Sequence, residues 1–282
     1  MRKDIGLVLE GGAMRGLFTM GVLDVFMENG VIIPSVVGVS AGAAFGCNYK
    51  SGQIGRVLRY NLKYCGDKRY CSALSLLRTG DLYGAEFCYR TLPFELDPFD
   101  VEAYDISPMA FWVVATDVLT GKPVYRRLDV VDDDCMDWMR ASASMPIVSR
   151  PVNVGGHVLL DGGMSDSIPL RFMEGQGCKR NVVILTQPRS YVKRPGSMLP
   201  YRAFLRKYPA MIKTMQNRPA MYRCQRDYVF AQEATGSVFV ICPDEPLPIA
   251  HTEHDPLKIA YVYEIGRQTA LRQLDALKAF VE

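Results

Sequence analysis

Short apolar runs bounded by turn residues alternate with stretches of helical spacing at the start of the chain. Residues 5–9 and 32–39 are nearly unbroken apolar runs, which are typical of strands covered on both faces. Residues 14–29 carry apolar side chains on one helical face and end at an Asn-Gly pair. Residues 40–51 are rich in small side chains and open a second helix. This order of elements predicts an α/β fold with a parallel sheet.

The alternation continues through the rest of the chain. Further strands are predicted at residues 110–115, 123–127, 152–154, 157–160, 181–186 and 238–242. Helices are predicted at residues 132–143 and 256–281, and residues 53–100 are expected to be mostly helical, with breaks at Pro93 and Pro98. Because no repeat, low-complexity tract or linker interrupts the pattern, we expect a single domain over residues 1–282.

Composition narrows the classes of function. The chain of 282 residues has a formal net charge of +3, with 49% hydrophobic and 22% charged residues, as in an ordinary globular protein. That charge, without a basic run or a zinc finger, argues against a nucleic-acid partner. The apolar start is too short for a signal peptide, and no run reaches the ~20 apolar residues that span a bilayer. The scattered cysteines lack the close pairs of a zinc site, so we expect reduced thiols, no metal and a cytoplasmic location.

The segment Gly38-Val39-Ser40-Ala41-Gly42 fits the pattern G-x-S-x-G directly after the second predicted strand. Such a turn is so tight that its flanking side chains must be very small, which explains Gly38 and Gly42. It would hold Ser40 at the carboxyl end of the strand, beside the free N–H groups of the next helix. A short pattern of common residues also arises in turns without chemistry, so the position after a strand is what favours Ser40 as a nucleophile.

A glycine loop, Glu10-Gly11-Gly12-Ala13-Met14-Arg15-Gly16, lies between the first strand and the first helix. Consecutive glycines let the backbone approach a ligand and present N–H groups to it. We interpret the loop as an oxyanion hole for acyl transfer. Phosphate or dinucleotide binding is the alternative, but the loop lacks the Lys-Ser/Thr ending of a P-loop and the G-x-G-x-x-G spacing.

Asp161, followed by Gly162 and Gly163, ends another apolar strand and is the candidate base for Ser40. Read alone, Asp-Gly is a common turn, and only the elbow and the glycine loop favour a catalytic aspartate. A histidine triad in the order Ser, acid, His would need His251 or His254. Both lie in a proline-rich polar loop that we interpret as exposed surface, although their order in the chain suits a triad.

Together the three motifs resemble those of the patatin-like phospholipases: an oxyanion motif of the form D/E-G-G-G-x-R-G, a G-x-S-x-G elbow and a later D-G-G/A. Residues 141–146, Ala-Ser-Ala-Ser-Met-Pro, are also similar to the small-residue segment that precedes the aspartate in that family. The similarity runs from about residue 5 to residue 169. One departure is Ala13, where the family often has a third glycine.

The resemblance implies a three-layer α/β/α fold with a central, mainly parallel sheet. It also implies a Ser-Asp dyad of Ser40 and Asp161 that hydrolyses acyl esters of lipids without a metal or another cofactor. The residues to which it assigns the oxyanion hole are Gly11, Gly12, Ala13, Arg15 and Gly16. The elbow and the supporting turn would be formed by Gly38, Gly42, Gly162 and Gly163.

Residues 175–226 contain no acidic residue but many cationic and aromatic ones. Residues from about 189 to 228, most of which belong to this stretch, are expected to form a basic helical segment. One interpretation is a face that meets an anionic membrane, and the other is a subdomain that caps the site or pairs with Asp132, Asp133, Asp134 and Asp137.

The expected function is therefore that of a serine acyl-hydrolase, of the lipase, phospholipase A or lysophospholipase type, with a lipid or acyl ester as its partner molecule. Two alternatives stay open. One is an α/β-hydrolase-like esterase with a histidine triad. The other is a degenerate lipid-binding or regulatory protein without an activated serine.

Overall fold

Eight strands form one sheet in this computed structural model, which describes residues 4–282. The strands are β1 (Ile5–Leu9), β2 (Ser35–Val39), β3 (Ala110–Asp117), β4 (Pro123–Arg127), β5 (Val152–Val154), β6 (His157–Asp161), β7 (Arg180–Ile184) and β8 (Val238–Ile241). They lie in the order β5-β6-β3-β2-β1-β7-β8, with β4 also paired to β3. The five strands from β3 to β8 in this order run parallel, whereas β4 and β6 run antiparallel to β3.

Residues 4–282 also form ten α-helices. They are α1 (Gly16–Glu28), α2 (Ala41–Lys50), α3 (Arg56–Tyr64), α4 (Ala73–Thr79), α5 (Val101–Ile106), α6 (Cys135–Ala143), α7 (Leu170–Gly175), α8 (Leu199–Phe204), α9 (Pro209–Ala234) and α10 (Pro256–Val281). Short 3-10 turns occupy Ala13–Arg15 and Gly162–Met164, and Phe87–Leu96 is a π-helical segment. In the described part of the chain, no helix has the length and apolar character to cross a bilayer.

The apolar side chains of the strands alternate between two cores. On β1, Leu7 and Leu9 point to one core, which α1, α2, α6 and α10 complete, and Val8 points to the other, which α7 and α9 cover. On β7, Val182 and Val183 divide in the same way. A sheet buried on both faces needs continuous apolar strands, and this explains the unbroken runs of the sequence. The expected three-layer α/β/α fold with a mainly parallel sheet is confirmed.

The C-terminal helix α10 packs closely along α1. A Cβ atom added to Gly266 would collide with the backbone carbonyl of Phe18, so only glycine allows this approach. The buried carboxylate of Asp24 on α1 accepts a hydrogen bond of 2.5 Å from the Tyr263 hydroxyl on α10. This contact and the pairing of β8 with β7 join the last third of the chain to the layers that the first third of the chain builds.

Strand register brings two distant segments to one point of the sheet. Val39, the last residue of β2, pairs with Val114 on β3, and Asp161, the last residue of β6, pairs with the next β3 residue, Ala115. Ser40 follows Val39 directly. Ser40 and Asp161 therefore lie on either side of β3, at the level of Ala115, where β2 and β6 end.

Several predicted boundaries are wrong at the ends of strands. β2 begins at Ser35 rather than residue 32, because Pro34 has no N–H for the ladder. β3 continues to Asp117 rather than ending at residue 115, because residues 116 and 117 pair with β6. β7 ends at Ile184 rather than residue 186, because Thr186 turns away to bind Glu10.

The helical predictions need similar corrections. Pro93 does not break its helix, because the chain widens there into π-helical turns. α6 begins at Cys135 instead of residue 132. Asp137 is the acidic residue in its first turn, and residues 132–134 precede the helix. The basic segment expected to be helical over residues 189–228 has no regular structure over residues 191–198, and α9 runs through Pro219 as far as Ala234.

Candidate active site

Ser40 occupies a strained elbow between β2 and α2. Its backbone has φ 56° and ψ −122°, an angle of φ that non-glycine residues rarely adopt. Neighbouring backbone is close enough that a Cβ on Gly38 would lie 2.6 Å from the Ala43 Cα, and one on Gly42 would lie 2.9 Å from the Leu9 carbonyl carbon. Strain of this kind persists where the surrounding structure holds the residue in place.

Ser142 holds the elbow from the side of α6. Its hydroxyl accepts the Ser40 N–H at 2.9 Å and donates to the Val114 carbonyl at 2.6 Å. Both bonds are buried, so the Ser40 N–H is already satisfied and is not available to a ligand. Ser142 belongs to the small-residue segment 141–146 noted in the sequence.

Asp161 lies against Ser40 and is only 2% exposed. Its carboxylate interacts with the Ser40 hydroxyl, and its Oδ1 accepts the Gly163 N–H at 2.7 Å. Burial raises the pKa of the Asp161 carboxyl, and the contact with Ser40 and the charge of Arg218 offset part of that rise. A carboxylate that is hard to keep ionised is a stronger base than an exposed one.

None of the three histidines is bound to Ser40 or Asp161 within residues 4–282. His157 pairs with Asp117 at 2.8 Å, and His254 Nδ1 is hydrogen-bonded to the Cys65 carbonyl at 2.5 Å. His251 borders the cavity beside Ser40, where its Nε2 lies 3.3 Å from an Arg15 nitrogen. His251 is exposed, as the composition of its loop predicted, but its position beside Ser40 was not predicted.

The glycine loop passes directly over Ser40. A Cβ on Gly11 would lie 2.7 Å from the Ser40 Cβ, and Gly11, Gly12 and Ala13 all line the cavity at the serine. Among residues 4–282, no acceptor takes the N–H of Gly11, Gly12 or Ala13. Ala13 has φ 50°, so the alanine occupies a left-handed conformation that a glycine would adopt without strain. The Gly16 of the motif packs against the elbow helix, close to Ala41 and Phe45.

Buried hydrogen bonds fix the base of this loop. Glu10 accepts the Thr186 N–H at 2.6 Å and the Tyr222 hydroxyl at 2.5 Å. The Thr186 hydroxyl in turn donates to the Gly11 carbonyl at 2.9 Å. β7 and α9 therefore set the position of the loop relative to Ser40.

An apolar cavity opens on one side of Ser40, between α2, α6 and the π-helical segment. It has a volume of about 130 Å³. Its apolar lining includes Phe45, Tyr60, Tyr89, Leu92, Met136 and Met139. The charged residues at its wall are paired: Arg140 with Asp81 at 3.2 Å, and Arg56 with Asp97 at 3.3 Å.

A second cavity, the cationic chamber, opens on the other side and has a volume of about 200 Å³. Arg15, Lys193, Arg218 and His251 line it, together with Ser40 and Asp161. Burial, together with the charges of Arg218 and Arg15, lowers the pKa of Lys193 to about 8. The two cavities share Ser40, Ala13 and Met145, so the serine hydroxyl stands where they meet.

Comparison with known families decides where the chain belongs: the profile described as Patatin-like phospholipase matches residues 7–173, more than half of the chain. The chain belongs to the patatin-like phospholipase family. The family predicted from the motifs is thus confirmed, and membership supports a lipid hydrolase as the class of activity. A second profile, a domain of unknown function named DUF6363, matches residues 208–282 of this patatin-like chain.

Three curated relatives are similar to the patatin-like chain. It is 29% identical to the uncharacterized protein YjjU of Escherichia coli, over 86% of the chain and 69% of YjjU. It is 28% identical to lysophospholipase NTE1 of Eremothecium gossypii, over 63% of the chain but 11% of NTE1. It is 26% identical to the uncharacterized NTE family protein Rv1063c of Mycobacterium tuberculosis, over 64% of the chain and 48% of that protein. The chain thus spans well under two thirds of both NTE-type relatives.

A solved structure, VipD from Legionella pneumophila, overlays with a TM-score of 0.49 and 14% identity, covering 98% of this chain and 67% of VipD.

The single domain expected over residues 1–282 stays a prediction. The segment matched by the second profile contributes β8 to the sheet and packs α10 on α1.

Five residues at the site were not singled out as site residues by the sequence patterns. They are Ser142, Thr186, Lys193, Arg218 and Tyr222. The basic segment was expected either to cap the site or to meet a membrane, and it supplies three of these side chains. The basic segment was also considered as a partner of Asp132, Asp133, Asp134 and Asp137. That pairing is wrong for Asp137, whose carboxylate pairs with Arg90 at 3.4 Å.

Proposed function

We propose that this chain hydrolyses the acyl esters of lipids, with Ser40 as nucleophile and Asp161 as base. One observation carries the proposal: the hydroxyl of a strained serine meets a buried carboxylate at the mouth of an apolar cavity, under three free backbone N–H groups. Nucleophile, base, oxyanion donors and an acyl site are the parts that such a reaction needs.

In the first half of the reaction, Asp161 accepts the Ser40 proton as the serine oxygen forms a bond to the acyl carbon. The carbonyl electron pair moves onto oxygen, and the free N–H groups of Gly11, Gly12 and Ala13 donate to that oxyanion. When the intermediate collapses, the ester C–O bond breaks and the leaving alcohol takes the proton from Asp161. Ser40 is then acylated.

In the second half, Asp161 accepts a proton from water while the water oxygen attacks the acyl-serine. Collapse of that intermediate returns the proton to Ser40 and releases the fatty acid. The raised pKa of Asp161 suits both halves, because a buried carboxylate gains by taking the proton. No imidazole is needed between two side chains that already touch.

The apolar cavity supports a lipid as the acyl donor. Aromatic and methionine side chains line its wall, and its charged residues are neutralised within the protein. An alkyl chain that enters beside Ser40 would gain roughly 0.8 kcal/mol for each buried methylene. The acyl carbonyl would then lie at the junction of the two cavities.

Replacement of Ser40 by Ala and of Asp161 by Asn tests the dyad. Hydrolysis of 4-nitrophenyl butyrate should fall by ~10⁴-fold or more in each, because members of a catalytic unit fail together. Asp24→Asn is the matched control, since Asp24 is equally buried and accepts two hydrogen bonds but lines neither cavity. Parental rates in Ser40→Ala or Asp161→Asn would refute the role of that residue.

The histidine alternative keeps one supporting observation, the position of His251 at the cavity wall. His251→Ala and His254→Ala should each leave hydrolysis of the short ester within a few fold of the parent if the dyad acts alone. A loss as large as that of Ser40→Ala would favour a triad. Failure of a fluorophosphonate probe to label the parent would favour the non-catalytic alternative.

Contact with an anionic membrane is part of the same proposal. Val192 is 62% exposed and lies between Tyr191 and Lys193 of the cavity wall, and Leu199, at the start of α8, is 77% exposed. The same part of the chain carries four exposed cations for which no ion pair occurs among the described residues, namely Arg194, Arg202, Arg206 and Lys207. Anionic lipid attracts each nearby cation by about 1 kcal/mol. Co-sedimentation with anionic vesicles should exceed that with neutral vesicles, and equal binding would remove the electrostatic contact.

A further inference from the structure

The cationic chamber holds more positive charge than its surroundings neutralise. Within residues 4–282, none of Arg15, Lys193 and Arg218 has a carboxylate within ion-pair distance. The two carboxylates at the chamber wall are already occupied, Glu10 by Thr186 and Tyr222, and Asp161 by Ser40 and Gly163. Partly buried cations without a partner are costly, and an anionic ligand would remove that cost.

The guanidinium of Arg218 is held in place with its outer nitrogens free. Its Nε donates to the Gly163 carbonyl at 2.7 Å, and the Gly163 N–H donates to Asp161. No other hydrogen bond of Arg218 occurs among the described residues. One short turn therefore fixes both the base and an arginine fork, whose geometry matches the oxygens of a phosphate.

Lys193 reaches the chamber from the irregular stretch before α8. Its ammonium lies 5.0 Å from the centre of the Tyr222 ring, and Tyr222 is bound to Glu10. Arg15 approaches from the glycine loop, where its Nε is buried without a hydrogen-bond partner. The cations thus come from three separate segments and converge on one space beside Ser40.

Because the chamber adjoins Ser40 opposite the apolar cavity, a lipid whose ester lies at the serine would place its acyl chain in the cavity and its alcohol part in the chamber. We propose that Lys193 and Arg218 form a subsite for the phosphate group of that alcohol part, so that the chain prefers phosphate-bearing lipid esters to neutral ones. This inference rests on the proposed hydrolase function. Lys193 lies between the two matched profiles and Arg218 lies in the second, so neither belongs to the matched patatin segment.

The test compares two substrates with the same acyl chain, 1-palmitoyl lysophosphatidylglycerol and 1-palmitoylglycerol, both in micelles of a neutral detergent. The readout is the ratio of their kcat/KM values, because a ratio cancels any general damage to the dyad. Lys193→Met and Arg218→Gln should each lower the ratio ~10-fold or more, as expected for loss of a charged hydrogen bond. Lys193→Arg should restore at least part of it.

Lys213→Met and Arg223→Gln are the matched controls, since both cations are exposed on the same segment, line neither cavity and are not among the cations of the proposed membrane contact. Their ratios should stay at the parental value. A fall as large as that of Lys193→Met would assign the preference to the micelle surface and overturn the subsite. An unchanged ratio in both Lys193→Met and Arg218→Gln would also overturn it, whereas absence of hydrolysis of both substrates by the parent would refute the proposed function itself.

Inorganic phosphate distinguishes a lipid head group from a free anion. If the chamber binds the phosphate of the substrate, millimolar phosphate should compete with lysophosphatidylglycerol only weakly, and the substrate ratio should still depend on Lys193. Strong inhibition of the parent that disappears in Lys193→Met, with an unchanged substrate ratio, would show a site for free phosphate and contradict the lipid subsite.

Discussion

The hydroxyl of Tyr222 donates a hydrogen bond of 2.5 Å to the buried carboxylate of Glu10, from α9 to the residue that begins the glycine loop. It joins the segment of unknown function to the patatin-like part directly beneath the candidate oxyanion hole. We expect Tyr222→Phe to lower the free energy of unfolding by about 1–3 kcal/mol, as for a hydrogen bond to a charged group. Chemical denaturation checks this, and an unchanged midpoint would show that Thr186 alone holds Glu10.

Ser142 provides a second stability prediction. Ser142→Ala leaves the buried Ser40 N–H and the Val114 carbonyl without their partner, so we expect a loss of about 2–4 kcal/mol in the free energy of unfolding. Esterase activity should fall too, because the strained elbow loses its lateral support. Ser144→Ala, which removes a hydrogen bond from the Ser144 hydroxyl to the Arg140 carbonyl on the same helix, is the control and should cost less.

The raised pKa of Asp161 predicts how the free energy of unfolding changes with pH. Burial raises the pKa of Asp161 in the folded protein, so folding favours the protonated form. Its contribution to stability is complete below the unfolded pKa of about 4 and is lost as pH rises through the raised pKa. We therefore expect Asp161→Asn, although inactive, to gain stability relative to the parent as pH rises across that window. Urea midpoints at pH 4 and pH 8 check this, and a constant difference would contradict it.

Lys193 gives the proposed subsite a pH dependence. The ammonium is charged below its pKa of about 8 and neutral above it, with Arg218, Arg15, Glu10 and Asp161 as the other charges acting on it. The kcat/KM ratio of phosphate-bearing to neutral substrate should fall as pH rises from 7 to 9. In Lys193→Arg the fall should disappear, since arginine keeps its charge.

The Ala13 position tests backbone strain. Ala13→Gly should raise the free energy of unfolding by up to about 1 kcal/mol, because relief of the left-handed alanine exceeds the entropic cost of a glycine. Thermal unfolding measures the change, and a lower melting temperature would show that the alanine methyl group packs usefully at the cavity junction.

The sequence predicted the sheet and the elbow well because both depend on local pattern. Apolar runs define β1 and β2, and the tight turn at Ser40 demands the glycines that flank it. Asp161 was predicted by a motif, but its contact with Ser40 depends on how β2 and β6 pair with β3, which no local pattern encodes. The position of His251 at the cavity was missed because a polar, proline-rich loop has the composition of open surface.

The cationic side of the site could be predicted only in outline. The basic segment was visible in composition, but which cations face Ser40 depends on the irregular stretch before α8 and on α9. α9 continues through Pro219, although proline disfavours the interior of a helix. Thr186 and Tyr222 act through bonds to Glu10 that span 176 and 212 positions of the chain. Such contacts are set by packing rather than by neighbours in sequence.

The most direct test of the account is the rate at which a fluorophosphonate probe labels the intact chain, with the modified residue located by peptide mass spectrometry. The account predicts labelling of the parent at Ser40, none in Ser40→Ala, and labelling of Asp161→Asn slower by ~10²-fold or more, because the serine has lost its base. Labelling of Asp161→Asn at the parental rate, or of a residue other than Ser40, would contradict it.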